Sequence, residues 1–484
     1  MGHSVESSSD SESFPSVRVV IVNFNGGEMT LQCLDSVMAS NWPEDRLEVI
    51  LINNSPDDEA IGVVLDGEQY RSVQVLQPHR NLGFAEGCNR GITHRGEFDL
   101  LALINNDAVV EPEWLRTLSA AMQNPPQPLM PARPFCHPEQ LGGLRRVGAV
   151  SPKTLFADRY LLVQLSVEPL QDEGRRCYRG DEGLVVDTIR LDGVCVDERV
   201  VVDERFLTHG ARQTDVLVKP VLAAGSDGAL RVQVGASIGA DPRRIELCLR
   251  SPVGLSVSVA TNCEALTLVV GPEPVWVRLD VGAAPVDVVN NAGSELYLNG
   301  FAGDRGFMEI DDGRYDEPAE VFAWFGGAVL MSRAYLDDVG LFDKRLFLYY
   351  EDIDLAWRGR LRGWSYLYSP ETTVRHVHGA AAGPTSQVFG FYNARNRLVV
   401  LVKNAPSRTV LRVIAEEVYR LFRDSARRVM SRPVLSYDSD LRHRWFVLGA
   451  FIVQFPAALI ARFTQRVRIS RREVLKWQID KWAT

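Results

Sequence analysis

Apolar and polar positions follow two different rhythms along the chain. "VRVVIVNFNG" (17–26) is a continuous β-branched run ending in Asn and Gly, the pattern of a strand buried on both faces and feeding a loop. "MTLQCLDSVMAS" then carries apolar residues at helical spacing. "LEVILINNSPDD" (47–58), "SVQVLQP" (72–78) and "LLALINNDAVV" (100–110) repeat the buried-strand pattern, and "NLGFAEGCNRGI" opens a helix after the third strand. Strands alternating with helices predict an α/β region around a parallel sheet. Such sheets bind ligands beyond the carboxyl ends of their strands, where Asn23, Asn25, Asn53, Asn54, Asn81 and Asp107 fall.

The rhythm changes after "VGAVSPKTLF" (147–156). Short period-two strands between Gly and Pro follow, the clearest being "RIELCLR", "GLSVSVA", "ALTLVV" and "VWVRLDV". In the last, Val275, Val277, Leu279 and Val281 share one face, and Trp276, Arg278 and Asp280 the other. These strands predict a β-sandwich inserted into the α/β domain, which resumes at "EVFAWFGGAVLMSR". The divisions read from the pattern are a polar arm (1–16), the α/β domain in two parts (17–157 and 318–400), the sandwich (158–317) and a basic, amphipathic helical tail (401–484). In the tail, "WFVLGAFIVQFPAALIARF" (445–463) is long and apolar, but Gln454 and Pro456 interrupt it and "TQRVRISRR" follows. A helix lying in a membrane interface is expected there, with a packing helix and a true span as the alternatives.

Charge sharpens this picture. The 484 residues carry a formal net charge of -9, which argues against wholesale nucleic-acid binding. Yet residues 391–484 hold 19 Lys/Arg against 7 Asp/Glu, and the rest 34 against 55. An acidic body with a basic tail suits an anionic membrane surface as partner. The 7 cysteines are scattered without CxxC spacing, and "MGHSVESSSDSESFPS" has no apolar core of a signal peptide. A reducing cytosol is expected, with the protein peripheral on the inner face of the plasma membrane.

Four stretches carry candidate chemistry. In "NND" (105–107), Asn105 and Asp107 emerge on one side of a strand end, a partial shell for a hard divalent cation held mainly by a diphosphate; the same letters are also ordinary turn residues. In "VRHVH" (374–378), His376 and His378 share a face, and either would complete such a shell or simply sit half-exposed. "FGG" (325–327) permits close backbone approach or tight packing. "LFLYYEDIDLAWRGR" (346–360) sets Glu351, Asp352 and Asp354 at the start of a helix that ends at Gly363. Acidic residues are favoured in a first turn by the helix dipole, and Asp354 pairs with Arg358 at i,i+4. Glu351 and Asp352 lack a local partner, and a carboxylate beside an aromatic cleft can take a proton from a hydroxyl nucleophile.

In this order, "VIVNFNG", "LINNSPDD", "NLGFAEGCNRGI", "LINNDAVVEPEWL" and "GLFDKRLFLYYEDIDLAWRGRLRGWSYLYSPETTVRHVHG" resemble the family 2 glycosyltransferases of GT-A (Rossmann-like) fold, over roughly 17–156 and 318–400. The likeness is strongest to bacterial, actinobacterial-type rhamnosyltransferase-like and galactofuranosyltransferase-like enzymes. It implies an inverting transfer of a sugar from a dTDP- or UDP-linked donor to a hydroxyl of a cell-envelope or polyprenyl-linked glycan. By the same resemblance Asp352 is the catalytic base with Glu351 beside it. Asp107 and Asn105 would hold Mg²⁺ or Mn²⁺, with His376 as an additional ligand. Asn23, Asn25, Asn53, Asn81, Gly83, Asn89 and Asn106 would line the donor site, and Trp324, Gly326 and Tyr350 the acceptor site. Two positions depart from the family: Asn105 replaces an acidic ligand, and Asn53 replaces an Asp that accepts from the base. The insert and the tail lie outside the resemblance; the insert is expected to bind glycan or to mediate self-association into a homo-oligomer, with a plain structural role as the alternative. The rival reading is a non-catalytic glycan-binding or scaffold protein retaining the fold, which the two Asn replacements favour and the intact "YYEDIDL" opposes.

Overall fold

All seven residues of β1 (Val17–Asn23) are buried, so the strand needs cover on both faces and partners on both edges. It pairs in parallel with β2 (Leu47–Asn53) on one edge and β4 (Leu100–Asn105) on the other, and β3 (Val73–Leu76) extends the β2 side in parallel. The structure is a computed structural model describing residues 14–126, 131–132, 146–169, 184–195, 200–202, 221–222, 226–234, 243–261, 263–281, 285–377, 387–430 and 441–479. Most of the arm expected over 1–16 lies outside the described residues.

β5 (Ala108–Val110) and β6 (Arg146–Phe156) follow, and the chain then leaves this sheet. It forms β7 (Arg159–Pro169), β8 (Leu184–Leu191), β9 (Val194–Cys195), β10 (Val200–Val202), β11 (Val221–Leu222), β12 (Ser226–Val234), β13 (Arg244–Arg250), β14 (Leu255–Ala260), β15 (Ala265–Val270) and β16 (Val275–Asp280). These make two antiparallel sheets, β10-β12-β7-β14-β15 and β11-β8-β13-β16 with β9 beside β8. Alternate residues of both, among them Val163, Val257, Leu247 and Val277, share one apolar core separate from the others. Val277, Leu279 and Val281 point into it and Trp276 outward, as the alternation predicts.

The chain is back in the main sheet by β17 (Val289–Asn291), which pairs with β6. The expected boundary at 317 is therefore too late: residues 285–317 belong to the α/β body, including β18 (Ser294–Tyr297) and β19 (Ala302–Asp304). β20 (Ala319–Glu320), β21 (Ala328–Ser332) and β22 (Trp364–His376) complete the ten-stranded order β20-β22-β6-β21-β4-β1-β2-β3, with β5 on β22 and β17 on β6; β23 (Gln478–Ile479) pairs with β18. β21 runs antiparallel to both β4 and β6, so the sheet is mixed, and the expected parallel arrangement holds from β4 to β3 and again in the β22–β6 pair.

Alternation along the strands divides the cover. Ile21, Leu51 and Ile104 meet α1 (Glu28–Met38), α2 (Glu59–Asp66) and α4 (Trp114–Gln123). Val20, Ile50 and Leu103 face the layer with α3 (Gly83–Ile92), α5 (Arg333–Val339), α6 (Glu351–Leu361) and α7 (Gln387–Asn404). α8 (Ser407–Val429), α9 (Leu441–Thr464) and the short α10 (Arg471–Val474) add to the α7 side. α9 continues unbroken through Pro456, where an interruption is expected. The proline forfeits one backbone bond, and packing of Val447, Phe451 and Ala458 on the body holds the helix together across it.

The two ends of the insertion meet. Phe156 donates its backbone N–H to Val288 O at 3.0 Å, and Tyr160 and Val286 exchange both backbone bonds at 2.9 Å. Replacing residues 161–285 with an Asn-Gly hairpin turn is therefore expected to leave the α/β body folded. A cooperative melt of the shortened chain, within a few degrees of the parent, checks this; loss of the transition would show that the body depends on the insert.

Candidate functional site

At the carboxyl end of β1, Asn23 is buried and uses its whole amide. Its Oδ1 accepts from Gly26 N–H (3.2 Å), the Thr30 hydroxyl (2.9 Å) and Asn106 Nδ2 (2.9 Å), while its Nδ2 donates to Asn53 Oδ1 (3.2 Å) and Asp58 Oδ2 (3.0 Å). Gly26 is required here, since a Cβ would overlap the Asn106 amide and the Thr30 hydroxyl. Asn23 and Asn106 thus brace the strand ends. Asn53 keeps a buried Nδ2 without a partner, and Asn25 lies exposed in a left-handed turn.

One strand over, β4 ends at Asn105 and β22 ends at His376, 271 positions later in the chain. His376 Nε2 lies 3.1 Å from Asp107 Oδ1 and 3.2 Å from Asn105 Nδ2. Its Nδ1 lies 3.1 Å from Asn290 Oδ1. The tautomer that donates Nδ1–H to Asn290 leaves the Nε2 lone pair facing Asp107, the way metal-binding imidazoles are held. The three residues read from "NND" and "VRHVH" are therefore brought together. His378 lies outside the described residues, and among those described no group of three His, Cys, Asp or Glu converges on a metal.

"FGG" links this pair to the acidic cluster. Gly327 O accepts from Asn105 N–H at 2.9 Å, the Phe325 ring meets His376 edge-on at 5.5 Å, and Gly326 N–H donates to Asp352 Oδ2 at 3.2 Å. Asp352 Oδ1 also accepts from Ile353 N–H at 2.7 Å. Burial outweighs these bonds and pushes the Asp352 carboxyl up to about 6. Burial beside Asp352 raises Glu351 well above the carboxylate range, and its Oε2 has no partner.

Comparison with known proteins bears on this constellation. Residues 18–147 match the model of the family described as glycosyl transferase family 2. Two curated relatives, N-acetylglucosaminyl-diphospho-decaprenol L-rhamnosyltransferases of Mycobacterium tuberculosis strains CDC 1551 and H37Rv, are each 37% identical over 76 residues, 15% of this chain. The chain spans about a quarter of the length of these relatives, 25%. Distantly similar solved structures include GalNAc-T7 with UDP, GalNAc and Mn²⁺ (13% identity, TM-score 0.40, covering 94% of this chain and 59% of that one). The mannosyltransferase PcManGT from Pyrobaculum calidifontis with GDP-Man and Mn²⁺ is another (10%, 0.37, 91% and 87%).

Several residues expected at the donor make structural bonds in this fold. Asn89 exchanges two bonds with the Phe342 backbone, at 2.9 and 3.0 Å. Asn81 Oδ1 caps Gly83 N–H at 2.8 Å, and a Cβ on Gly83 would strike the Phe347 ring. These residues seat the loop before α6, whose Phe347, Tyr349 and Tyr350 all have left-handed backbone, costing roughly 1–2 kcal/mol each. Of the residues expected at the acceptor, Trp324 is fully buried edge-on against Phe342, and Tyr350 is buried with its hydroxyl accepting from Ala302 N–H at 3.0 Å. Neither presents a surface to a glycan; they support the floor beneath Gly326.

Sequence reasoning missed three participants. Asp58 joins the Asn23 cluster and caps α2 through Ala60 N–H at 3.1 Å; its place in "SPDDE", ahead of a helix, is a capping signal that was legible. Asn290 and Asp304 lie in the stretch assigned to the insert. Asp304, bonded by Asn291 Nδ2 at 2.6 Å, is pushed up to about 7 by burial, with negative Asp352 adding and His376 opposing.

Asp354 has the structural role its spacing predicts. Arg358 lies 3.0 Å and Lys403 2.7 Å from its carboxylate, and Asn404 Nδ2 donates at 3.0 Å. Burial opposes the charge, but Lys403 and Arg358 hold the carboxyl below its ordinary range. Its folded pKa being the lower, it adds stability above the ordinary carboxylate range that is lost as pH falls through the folded value. Asp354→Asn is expected to cost about 3–5 kcal/mol at pH 7 in urea unfolding, with a smaller cost at pH 3.

Proposed function

We propose that this chain is an inverting glycosyltransferase that moves a sugar from a nucleotide-diphosphate donor, dTDP- or UDP-linked, to a hydroxyl of a cell-envelope or polyprenyl-linked glycan. One observation carries the reading: Phe325–Gly327 ties a half-buried carboxylate poised near 6 to a carboxylate–imidazole pair. At neutral pH Asp352 is ionised and basic enough to take the acceptor proton. The acceptor oxygen then bonds to the anomeric carbon from the face opposite the leaving group, and the bond to the diphosphate breaks with its electron pair. Asp107, Asn105 and the Nε2 of His376 would hold Mg²⁺ or Mn²⁺, whose charge offsets that developing on the diphosphate. The donor set fits such an ion, since Asn290 orients the imidazole and a carboxylate oxygen already faces it. Asn53 and Asn25 lie where the nucleoside would bind.

Nucleotide release from a panel of nucleotide sugars with Mn²⁺ separates this reading from a non-catalytic glycan-binding scaffold, which would bind without turnover. Asp352→Asn is expected to lower turnover by about 10²–10⁴-fold with donor binding intact. In the parent, kcat should fall as pH drops below about 6, because the base is then protonated. Half the activity surviving in the variant would remove Asp352 from the chemistry.

Asp107→Ala should instead abolish metal-dependent binding of UDP or dTDP by calorimetry. Unchanged, Mn²⁺-dependent binding would exclude the assigned metal site.

We further assign the protein to a membrane surface, as a polyprenyl-linked acceptor requires. α8 exposes Leu411, Ala415, Tyr419, Phe422, Ala426 and Val429, and α9 exposes Phe446, Gly449, Val453, Pro456, Ile460 and Phe463, both at helical spacing. The two stripes meet where Phe422 and Trp445 pack edge-on at 5.3 Å. Exposed Arg466, Arg468 and Arg472 flank them, whereas Arg462 is spent on the carbonyls of Val402 and Ala405. α9, 24 residues and about 36 Å long, would reach across a bilayer, but it packs lengthwise on α7, which favours lying on the surface. The chain should sediment with anionic vesicles at low salt, detach partly at high salt, and lose binding in Val453→Glu/Ile460→Glu. Release by detergent alone would indicate a span. The two-sheet insert is read as a sandwich domain that binds glycan or self-associates.

A further inference from the structure

α7 carries an unusually polar buried segment, Arg395-Asn396-Arg397, and its middle residue is fully enclosed. Asn396 Nδ2 donates to three carbonyls of one loop: Leu346 O at 2.9 Å, Leu348 O at 2.9 Å and Tyr349 O at 2.7 Å. These oxygens turn toward a single point because Phe347, Tyr349 and Tyr350 have left-handed backbone, a conformation aromatic residues rarely adopt unless held. The orientation of the amide is set from behind: Arg395 Nε and Nη2 both donate to Asn396 Oδ1, at 2.8 and 2.6 Å. The same guanidinium reaches Arg345 O at 3.1 Å and Leu346 O at 3.0 Å, and lies 4.8 Å over the Tyr392 ring. From the other side, Phe84 N–H donates to Phe347 O at 2.8 Å.

The loop has one exit. Tyr350 O accepts from Asp354 N–H at 2.9 Å, the first bond of α6, so the left-handed Tyr350 fixes where that helix begins and where Glu351 and Asp352 project. We propose that Asn396, oriented by Arg395, is the positioning residue that holds the loop at 346–350 and thereby sets the Asp352 carboxylate against Gly326. It touches no substrate and acts only through the backbone. The inference rests on the reading of Asp352 as the base, but the loop geometry can be tested without it.

Asn396→Leu keeps the volume and removes the donors, and Asn396→Asp keeps the acceptor for Arg395 while turning an anion toward three carbonyls. With the nucleotide sugar that turns over in the panel, kcat is expected to fall on the order of 100-fold in Asn396→Leu and further in Asn396→Asp. Affinity for UDP or dTDP with Mn²⁺ should stay within about twofold, a split that general destabilisation would not give. Hydrogen exchange should quicken at residues 347–354 and stay unchanged in β1 and β4. If Asn396→Leu does not fold, Arg395→Lys decides: roughly tenfold lower kcat with unchanged nucleotide affinity supports the role, and unchanged kcat overturns it. An Asn396→Leu enzyme keeping half its kcat, or losing nucleotide affinity in step with kcat, also overturns it. Asp352→Asn is measured alongside. An active Asp352→Asn sinks the base, whereas an inactive one beside an active Asn396→Leu sinks only the positioning. If no sugar turns over, the exchange pattern alone decides, and unaltered exchange at 347–354 overturns the inference.

Discussion

Gly326 and Gly327 hold the two ends of the site one residue apart, the first donating its N–H to Asp352 and the second offering its carbonyl to Asn105. A side chain would press on Asp352 at the first and overlap Phe325 at the second. A Cβ on Gly326 would lie 3.1 Å from Asp352 Oδ2, and one on Gly327 would lie 2.5 Å from the Phe325 ring and 3.1 Å from Asn105 Nδ2. The backbone itself is the spacer between the strand end that carries Asn105 and the start of α6 that carries Asp352. Everything else in the body serves to keep the two strand ends and the start of α6 at that crossing.

The parts legible in the sequence were those whose signal is local. β-branched runs gave β1, β2 and β4, and the asparagines and aspartates that close them are where the Asn23 cluster and the Asp107–His376 contact form. The i,i+4 spacing in "DLAWR" gave the Asp354–Arg358 pair, since both partners lie on one helix face. What stayed hidden depends on contacts between distant segments. Asn290 follows an alternating stretch and was taken with it, because its reason for being polar is a histidine 86 positions away. Trp324 and Tyr350, near Asp352 in sequence and expected at an acceptor by resemblance, are committed by burial to the floor. Pro456 read as a break because its neighbours on α7 have no signature in its own sequence.

α7 shows how an acidic body and a basic tail are joined. Its inward face carries Lys403 against Asp343 and Asp354, and Arg397 between Glu417 and the Asn299 carbonyl, with its guanidinium 4.0 Å over the Phe301 ring. Charges this well enclosed add little net stability, because desolvation offsets their attraction, but removing either partner is costly. They make one docking geometry far better than its neighbours. The apolar stripes of α8 and α9 are thereby fixed in direction relative to the loop before α6.

The meeting of Phe156 with Val288 also bears on how such a chain assembles. Strands β6 and β17 cannot pair until the intervening segment has been gathered, and for a flexible loop of about 130 residues that costs roughly 4 kcal/mol of chain entropy, against about 1 kcal/mol for a short turn. An insert that closes around its own apolar core first brings its two ends into register and removes most of that cost in advance. In kinetic terms a two-sheet body that closes first acts as a splint: it turns a high-order contact into a local one.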